Sequence, residues 1–441
     1  MKKIFVLLTA LLYSTIAYTQ NTFKALIKDS KTGETLIGAT VSVQGTNMGA
    51  VADAAGMVTL FKIPDGKQII KYSYIGYETR LDTVTFPLAQ SGPALIMLNP
   101  VGKGDGAELD AVVVSATRSS RTITNTPTRV EVITGDELDE KGNMKPGDIR
   151  MMLAESTGIQ TQQTSATSGN SSIRIQGLDG KYTQIIRDGF PLYSGFSGGL
   201  GLLQIAPLDL KQVEVIKGSS STLYGGGAIA GLVNLVSKTP EDERHLDFLL
   251  NGTSALGLDA TGFYSQKFKK LGITLYGGYN HGTPYDPSNI GLSAIPRYNR
   301  YTLNPKLFFY LSDKTTLVTG INSTIENRIG GDMQYLRGNG DAQHSYFELN
   351  KTGRYSLQVE LDHKFNAKEK LTLKNSVSYF DRSINLPDYR FSGKQTSTYS
   401  EANYAYNGEN ADWVAGINYL TDHFNEDRNS SFPLRSYDYH T

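Results

Sequence analysis

The chain has 441 residues, too many for one ordinary domain, and its 43 Lys and Arg balance 43 Asp and Glu, so no net field draws it to nucleic acid or an acidic surface. It contains no cysteine, which removes disulfides, a thiol nucleophile and thiolate metal sites together. Gly (45) and Tyr (26) are abundant, hydrophobic content is 39%, and no run of apolar residues long enough for a membrane helix follows the N-terminus. That composition suits short strands and turns, so an all-β-dominated chain is expected.

Residues 1–19 read as an export signal. Lys2 and Lys3 precede an apolar core from Ile4 to Ile16, and Ala17 and Thr19 stand at the spacing a signal peptidase reads, with cleavage expected after Thr19. Residues 22–98 then carry β-prone runs (Phe23–Ile27, Thr40–Gln44, Met57–Phe61, Gln68–Ile75) separated by turn clusters such as Lys31-Thr32-Gly33 and Pro64-Asp65-Gly66. About seven short strands in this length fit a small β-sandwich. The stretch TGETLIGATVSVQGTNMGAVADAAGMVTL and the later YSYIGYET resemble the carboxypeptidase-regulatory-like domain found ahead of receptors in Bacteroidetes-type bacteria, with Ala25 where that family has an early Gly. No zinc peptidase is implied, because the six histidines include no HExxH pair and no His–Glu ligand spacing; no metal site and no cofactor are expected.

Residues 99–126 open on NPVGKGDGAEL, whose Gly, Pro and Asp mark a flexible linker. Within it Asp110-Ala111-Val112-Val113-Val114-Ser115 is β-prone, and on periodicity alone it reads as a buried strand of a neighbouring domain. With the following Ala116-Thr117-Arg118 it resembles the TonB box that precedes the plug of TonB-dependent receptors. That resemblance implies a periplasmic partner, TonB, which adds the segment as a strand; the chemistry needs an extended backbone with free donors and acceptors.

Residues 127–240 hold four ordered blocks: PTRVEVITGDEL, IRIQGLDG (173–180), IIRDGFPLY (185–193) and VEVIKGSSSTLYGGGAIAGLVNLVSKTP (213–240). Together they resemble the receptor plug domain. Asp188-Gly189 and Gly218 are placed at sharp strand ends where positive φ is cheap, a structural role. Residues 148–155 (DIRMMLAE) read as the one clear helix, with Ile149, Met152 and Leu153 on one face. Two catalytic patterns fail their context tests. Gly195-Phe196-Ser197-Gly198-Gly199 matches G-x-S-x-G but runs into a Gly-rich loop rather than a helix, and Gly225–Ala230 matches G-x-G-x-x-A but enters the β-prone LVNLV.

From 241 to 441 the pattern changes to long alternating strands. Nine are expected, at about 245–251, 257–268, 273–280, 300–311, 315–325, 353–365, 371–380, 397–406 and 411–424. Tyr355, Leu357, Val359 and Leu361 alternate with Ser356, Gln358, Glu360 and Asp362, as a strand between lipid and a wet lumen requires. Short turns (Lys269–Gly272, Ser312–Lys314, Asn366–Lys370, Asn407–Asn410) alternate with long loops (281–299, 326–350, 381–396), the asymmetry of an outer-membrane barrel. Nine is an odd count, and a lumen holding such a plug calls for roughly 22 strands, so the chain reads as the front part of a barrel that stops in an outer loop.

The resemblance implies energised import of a scarce nutrient across the outer membrane, with the N-terminal domain and plug on the periplasmic side and lipid around the barrel. An iron-siderophore or cobalamin-type ligand fits the plug wording first. A SusC-like glycan importer comes second, because that group's box usually continues V-G-Y-G. Gln163, Ser165, Tyr193 and Phe196 in plug loops and Tyr335 and Arg337 in a barrel loop are the candidate substrate contacts, beside the alternative that they are ordinary loop residues. No enzyme is expected, since a secreted hydrolase rests on Ser197 alone; a surface adhesin explains the strands but not the plug blocks.

Overall fold

The computed structural model describes residues 21–44, 46, 48–74, 77, 79–88, 92–99, 114, 129–165, 167–192, 195–198, 200–219, 224, 226–408 and 411–441. The expected signal stretch and most of the linker lie outside them. The chain divides into two units, Met1–Ala111 and Val112–Thr441.

In the first unit, strict alternation builds the strands. β1 (Asn21–Asp29) buries Phe23, Ala25 and Ile27 and turns Thr22 and Lys24 to solvent, the period-2 pattern of a sheet with one covered face. It pairs with β4 (Met57–Ile63) antiparallel and β7 (Ala94–Leu98) parallel. The second sheet runs in the order β3 (Gly49–Val51), β2 (Thr40–Val43), β5 (Gly66–Ser73), β6 (Arg80–Phe86). Ile27, Val41, Ile70 and Tyr72 meet between the sheets in one core, where Phe23 meets Phe86 edge-on with centroids 6.2 Å apart. This is the expected seven-stranded sandwich. Asp29 closes its first turn: the carboxylate accepts from the Lys31 and Thr32 amides and, at 2.7 Å, from the Tyr77 hydroxyl.

The second unit begins with a mixed sheet in the order β12 (Phe190–Pro191), β11 (Thr183–Arg187), β14 (Gly231–Ser237), β13 (Leu210–Lys217), β8 (Val130–Thr134). Both central strands are buried on both faces, so they read as near-continuous buried runs. Val213, Val215, Val233 and Leu235 face Met152 and Leu153 of the helix Arg150–Ala154. That helix is a turn shorter than the sequence suggests, but Ile149, Met152 and Leu153 are buried as expected. A second helix, Gly135–Met144, corrects the expectation of one. Its sequence GDELDEKGNM carries two glycines and a single buried apolar residue, Leu138, so it has no apolar period to read. A hairpin of β9 (Ile159–Gln163) and β10 (Ser171–Ile175) completes this plug-like part.

The remaining residues form one antiparallel sheet in sequence order: β15 (His245–Gly252), β16 (Leu258–Lys267), β17 (Leu271–Gly282), β18 (Arg297–Ser312), β19 (Thr315–Gly331), β20 (Phe347–Lys364), β21 (Glu369–Asn385), β22 (Arg390–Asn407), β23 (Asp412–Asn429) and β24 (Ser436–His440). There are ten strands among the described residues, not nine, so the argument from an odd count does not stand; β24 is a short strand paired only with Thr421–Asn425. The sheet is not closed, since β15 and β24 are not neighbours. Three loops shrink as well. β19 continues to Gly331 and β20 starts at Phe347, while the expected loop 381–396 is a hairpin whose strands run to Asn385 and from Arg390.

Burial in this sheet is inside-out. Phe248 is 80% and Leu250 78% exposed, whereas Arg300, Glu326, Asn350 and Gln395 are buried. In water such a face would be an aggregation surface; against hydrocarbon it is the stable one. No described helix is long and apolar enough to cross a membrane.

Adjacent positions on β21 test this. Val377 faces outward and Ser376 is buried inside. Val377→Arg should cost up to about 2–4 kcal/mol of folding stability in lipid, and Ser376→Gln far less. Urea unfolding in liposomes reads the difference, and equal losses would refute the assigned faces.

Candidate functional site

The plug sheet has two working sides. On the face away from its helices, Val114 is fully buried against Ile186 of β11, Ile216 of β13 and Leu232 of β14, with Val130, Val132 and Tyr224 at the margin. This is the described residue of the candidate TonB box; Asp110, Ala111, Val112, Val113 and Ser115 lie outside the described residues. Burying one Val side chain stabilises by about 1.5–3 kcal/mol.

Elsewhere the plug meets the wall through charge and backbone. Arg300 of β18 donates to the carbonyls of Leu203 and Gly147. Arg328 of β19 donates to the Ser168 carbonyl at 3.0 Å and to Glu326 at 2.6 Å. Arg354 of β20 donates to the Ser197 carbonyl and to Gln204, whose amide donates in turn to Thr352 at 2.9 Å. Gln395 of β22 accepts from the Ser197 amide at 2.9 Å. The wall's guanidinium forks thus supply donors to plug-loop carbonyls that water would otherwise satisfy. Glu326, 3.6 Å from Arg300 and bonded to Arg328, balances the buried cations.

A second lock sits at the end of β11. Asp188 has φ +53°, a conformation Asp tolerates better than most residues, and this turns its carboxylate to the Ser237 amide at 2.8 Å, the Ser237 hydroxyl at 2.9 Å and the Lys306 ammonium of β18. Its carbonyl accepts from Lys374 of β21 at 2.6 Å. Beside it Arg187 pairs with Asp209, which also accepts from Asn304. Burial works to raise the Asp188 pKa, yet the Lys306 and Arg187 charges and the bonds from Lys306 and Ser237 hold it down to about 2. Sequence reading found the turn at Asp188-Gly189 but not the lock, because Lys306 lies 118 residues away.

The other candidate contacts are dispersed. Ser165 and, beside it, Thr167 both donate to Glu348 of β20 at 2.8 Å. Gln163 donates to the Ser165 carbonyl at 2.9 Å. The Phe196 ring lies among Phe380, Phe391 and Phe424, with centroids 5.2, 5.7 and 4.7 Å away. Tyr193 lies outside the described residues. Tyr335 stacks on Phe347 at 4.8 Å within the β19–β20 loop, and Arg337 follows it, exposed. Ser197 is buried in a 3-10 turn, Gly195–Gly198, with its amide and carbonyl both engaged by the wall. Among the described residues no cluster of His, Cys, Asp or Glu could hold a metal.

Residues 122–232 match the TonB-dependent Receptor Plug Domain family model, and residues 26–114 match the CarboxypepD_reg-like domain. The chain belongs to the TonB-dependent receptors. It is similar to the ferrioxamine receptor of Yersinia enterocolitica, 25% identical over 317 residues covering 67% of this chain and 41% of that protein. It is also similar to the TonB-dependent receptor SusC of Bacteroides thetaiotaomicron, 28% identical over 57% of this chain and 24% of that one. Among solved structures, the ferric-catecholate import receptor Fiu of E. coli K12 aligns with TM-score 0.54 and 15% identity over 71% of this chain and 52% of that one. FpvAI from its complex with pyocin S2 aligns at TM-score 0.60 and 17% identity, over 74% and 45%. At these identities the solved structures share the fold. The receptor spans less than half the length of the curated relatives it matches. Family and inside-out sheet together place it in the outer membrane.

The Asp188 lock gives a pH prediction. Its folded pKa lies below the ordinary 3.8, so the stabilisation is present above about pH 4 and is lost as pH falls through about 2. Protease nicking of the plug in detergent should rise across that window, and Asp188→Asn should abolish the acid dependence. Lys306→Ala, which removes the ammonium partner and leaves the Ser237 bonds, should loosen the plug by about 1.5–3 kcal/mol at neutral pH. A pH-independent nicking rate in the parent would refute the lock.

Proposed function

We propose that this receptor imports a scarce nutrient across the outer membrane, driven by TonB. The observation that carries the reading is the seat of Val114. Among the described residues of this segment, Val114 is seated on the plug sheet, while elsewhere the same plug is held by buried arginines of the wall. Such a segment suits capture by a partner that adds it as a strand. Ligand arriving from outside shifts the plug, the segment leaves its socket, and TonB pulls through it. Residues 1–19 act as the export signal, the sandwich 22–98 and the plug face the periplasm, and the short turns of the barrel lie on that side. The chain works as a transporter and not as an enzyme.

For the ligand, an iron-siderophore or cobalamin-type molecule is the first reading, supported by the plug wording and by similarity to a ferrioxamine receptor and to the vitamin B12 transporter BtuB of Vibrio vulnificus. A glycan is the second, supported by the N-terminal domain and the similarity to SusC. Growth of a deletion strain on limiting iron, cobalamin or glycan separates them.

Deleting Asp110–Ser115 in the full-length receptor should abolish uptake and leave ligand binding intact; loss of both counts against the segment's role. Trimming the socket instead of the segment gives a graded test. Ile216→Val removes about 1 kcal/mol of packing and should raise ligand-free cross-linking to TonB by about fivefold. Unchanged cross-linking would mean that the socket does not hold the segment.

A further inference from the structure

The sandwich turns an apolar row to solvent. On the outer face of β4, β1 and β7, Met57 stands opposite Leu26 and Leu26 opposite Leu95, so three apolar side chains lie side by side across the sheet. Met97, two residues beyond Leu95, extends the row, and Leu95 is 59% exposed. Phe61, 64% exposed, lies near the far end of β4. Lys24 and Lys28 flank Leu26 on the same face, Lys24 beside Thr59 and Lys28 beside Met97. The one carboxylate these strands carry, Asp29, is buried and bonded to Tyr77 and to the Lys31 and Thr32 amides. The other sheet differs. Its outward Ile69, Leu81 and Val51 stand opposite Thr83, Lys71 and Thr40, so it carries no paired apolar row.

We propose that this face docks the sandwich on the bilayer surface at its own side of the outer membrane, with anionic phospholipid as the occupant. Apolar side chains flanked by cations, on strands whose only carboxylate is buried, match a negatively charged interface. Leu26, Met57, Leu95 and Met97 enter the boundary between headgroups and acyl chains, and the lysine stems lie along it with their ammonium groups at the phosphates. The row offers a protein partner few hydrogen-bonding groups, whereas lipid needs none. A patch of this size does not hold a free domain on a membrane, which takes a second signal. Here the chain supplies it. Residues 100–113 separate Asn99 of the sandwich from Val114 of the second unit, and fully extended they reach at most about 50 Å. A bilayer is therefore always within range, and the tether turns weak docking into a local equilibrium. From the import reading the proposal takes only the side on which the sandwich lies.

The test uses the full-length receptor in vesicles, with an environment-sensitive dye on Leu95→Cys. The 441 residues hold no cysteine, so within them the label goes only where it is placed. In vesicles containing phosphatidylglycerol the dye emission should shift to the blue; in phosphatidylcholine alone, or in detergent, it should not. The same dye on Thr83→Cys, on the outer face of the other sheet, should not shift in any of these. Lys24→Ala and Lys28→Ala should each lower the ratio of docked to free sandwich about fivefold at low salt. Met97→Cys takes the label should Leu95→Cys fail to fold. An unshifted dye with phosphatidylglycerol overturns the proposal, and so do equal shifts at Leu95 and Thr83. A shift that persists in detergent or phosphatidylcholine, or survives both lysine substitutions, also overturns it, because a protein surface then covers the face. Uptake that needs no TonB would instead refute the import reading and leave the vesicle result standing.

Discussion

Backbone polar groups at membrane depth must find partners inside the protein, and much of this receptor's second unit follows from that constraint. The wall meets it with a ladder of inter-strand bonds, which frees its outward side chains to be apolar. In the plug, irregular segments around Gly147, Ser168, Ser197 and Leu203 turn carbonyls to the wall. Arg300, Arg328 and Arg354 complete them.

The same choice keeps the plug movable. Its cohesion is apolar and internal, with Val213, Val215, Val233 and Leu235 packed on the helix residues Met152 and Leu153. Its attachment to the wall is polar at Asp188 and at the wall arginines, with an aromatic contact where Phe196 packs among Phe380, Phe391 and Phe424. Water can replace a polar contact with a modest net change in free energy, whereas opening the apolar core exposes hydrocarbon that water does not compensate. The plug can therefore exchange wall contacts for water while remaining folded.

What was legible in the sequence tracks where side chains carry the pattern. Wall strands could be read because lipid and lumen impose alternation, as in Tyr355 to Asp362. Beyond the lipid band that pressure ends. Residues 381–385 and 390–394 (DRSIN and RFSGK) continue the β21–β22 ladder through backbone bonds alone, so a paired hairpin looks like a loop. Five-residue β24 follows Pro433 and offers too short a pattern to separate from loop. In the plug, Ile149, Met152 and Leu153 announced their helix, while Gly135–Met144 is held partly by Lys141, which bridges Glu137 at 3.0 Å and Glu155 at 3.6 Å, a contact that no apolar period reports. The locks were illegible for another reason. Ser165 meets Glu348 across 183 residues and Asp188 meets Lys306 across 118, and nothing local marks either member of such a pair.

The candidate ligand contacts acquire a different meaning from where they sit. Ser165 is already bonded to Glu348, and Phe196 already packs among three wall aromatics, so a ligand at these loops has to compete with the wall for them. Competition is what coupling requires, since a ligand shifts an equilibrium only through contacts that differ between the two states. Phe196 is followed directly by Ser197, whose amide and carbonyl are held by Gln395 and Arg354. At the other end, a single strand joins lock and socket. Ile186 of β11 lines the seat of Val114, and Asp188, two residues on, is held by Lys306. A displacement of Asp188 is thus transmitted through two peptide links to the socket in which Val114 sits.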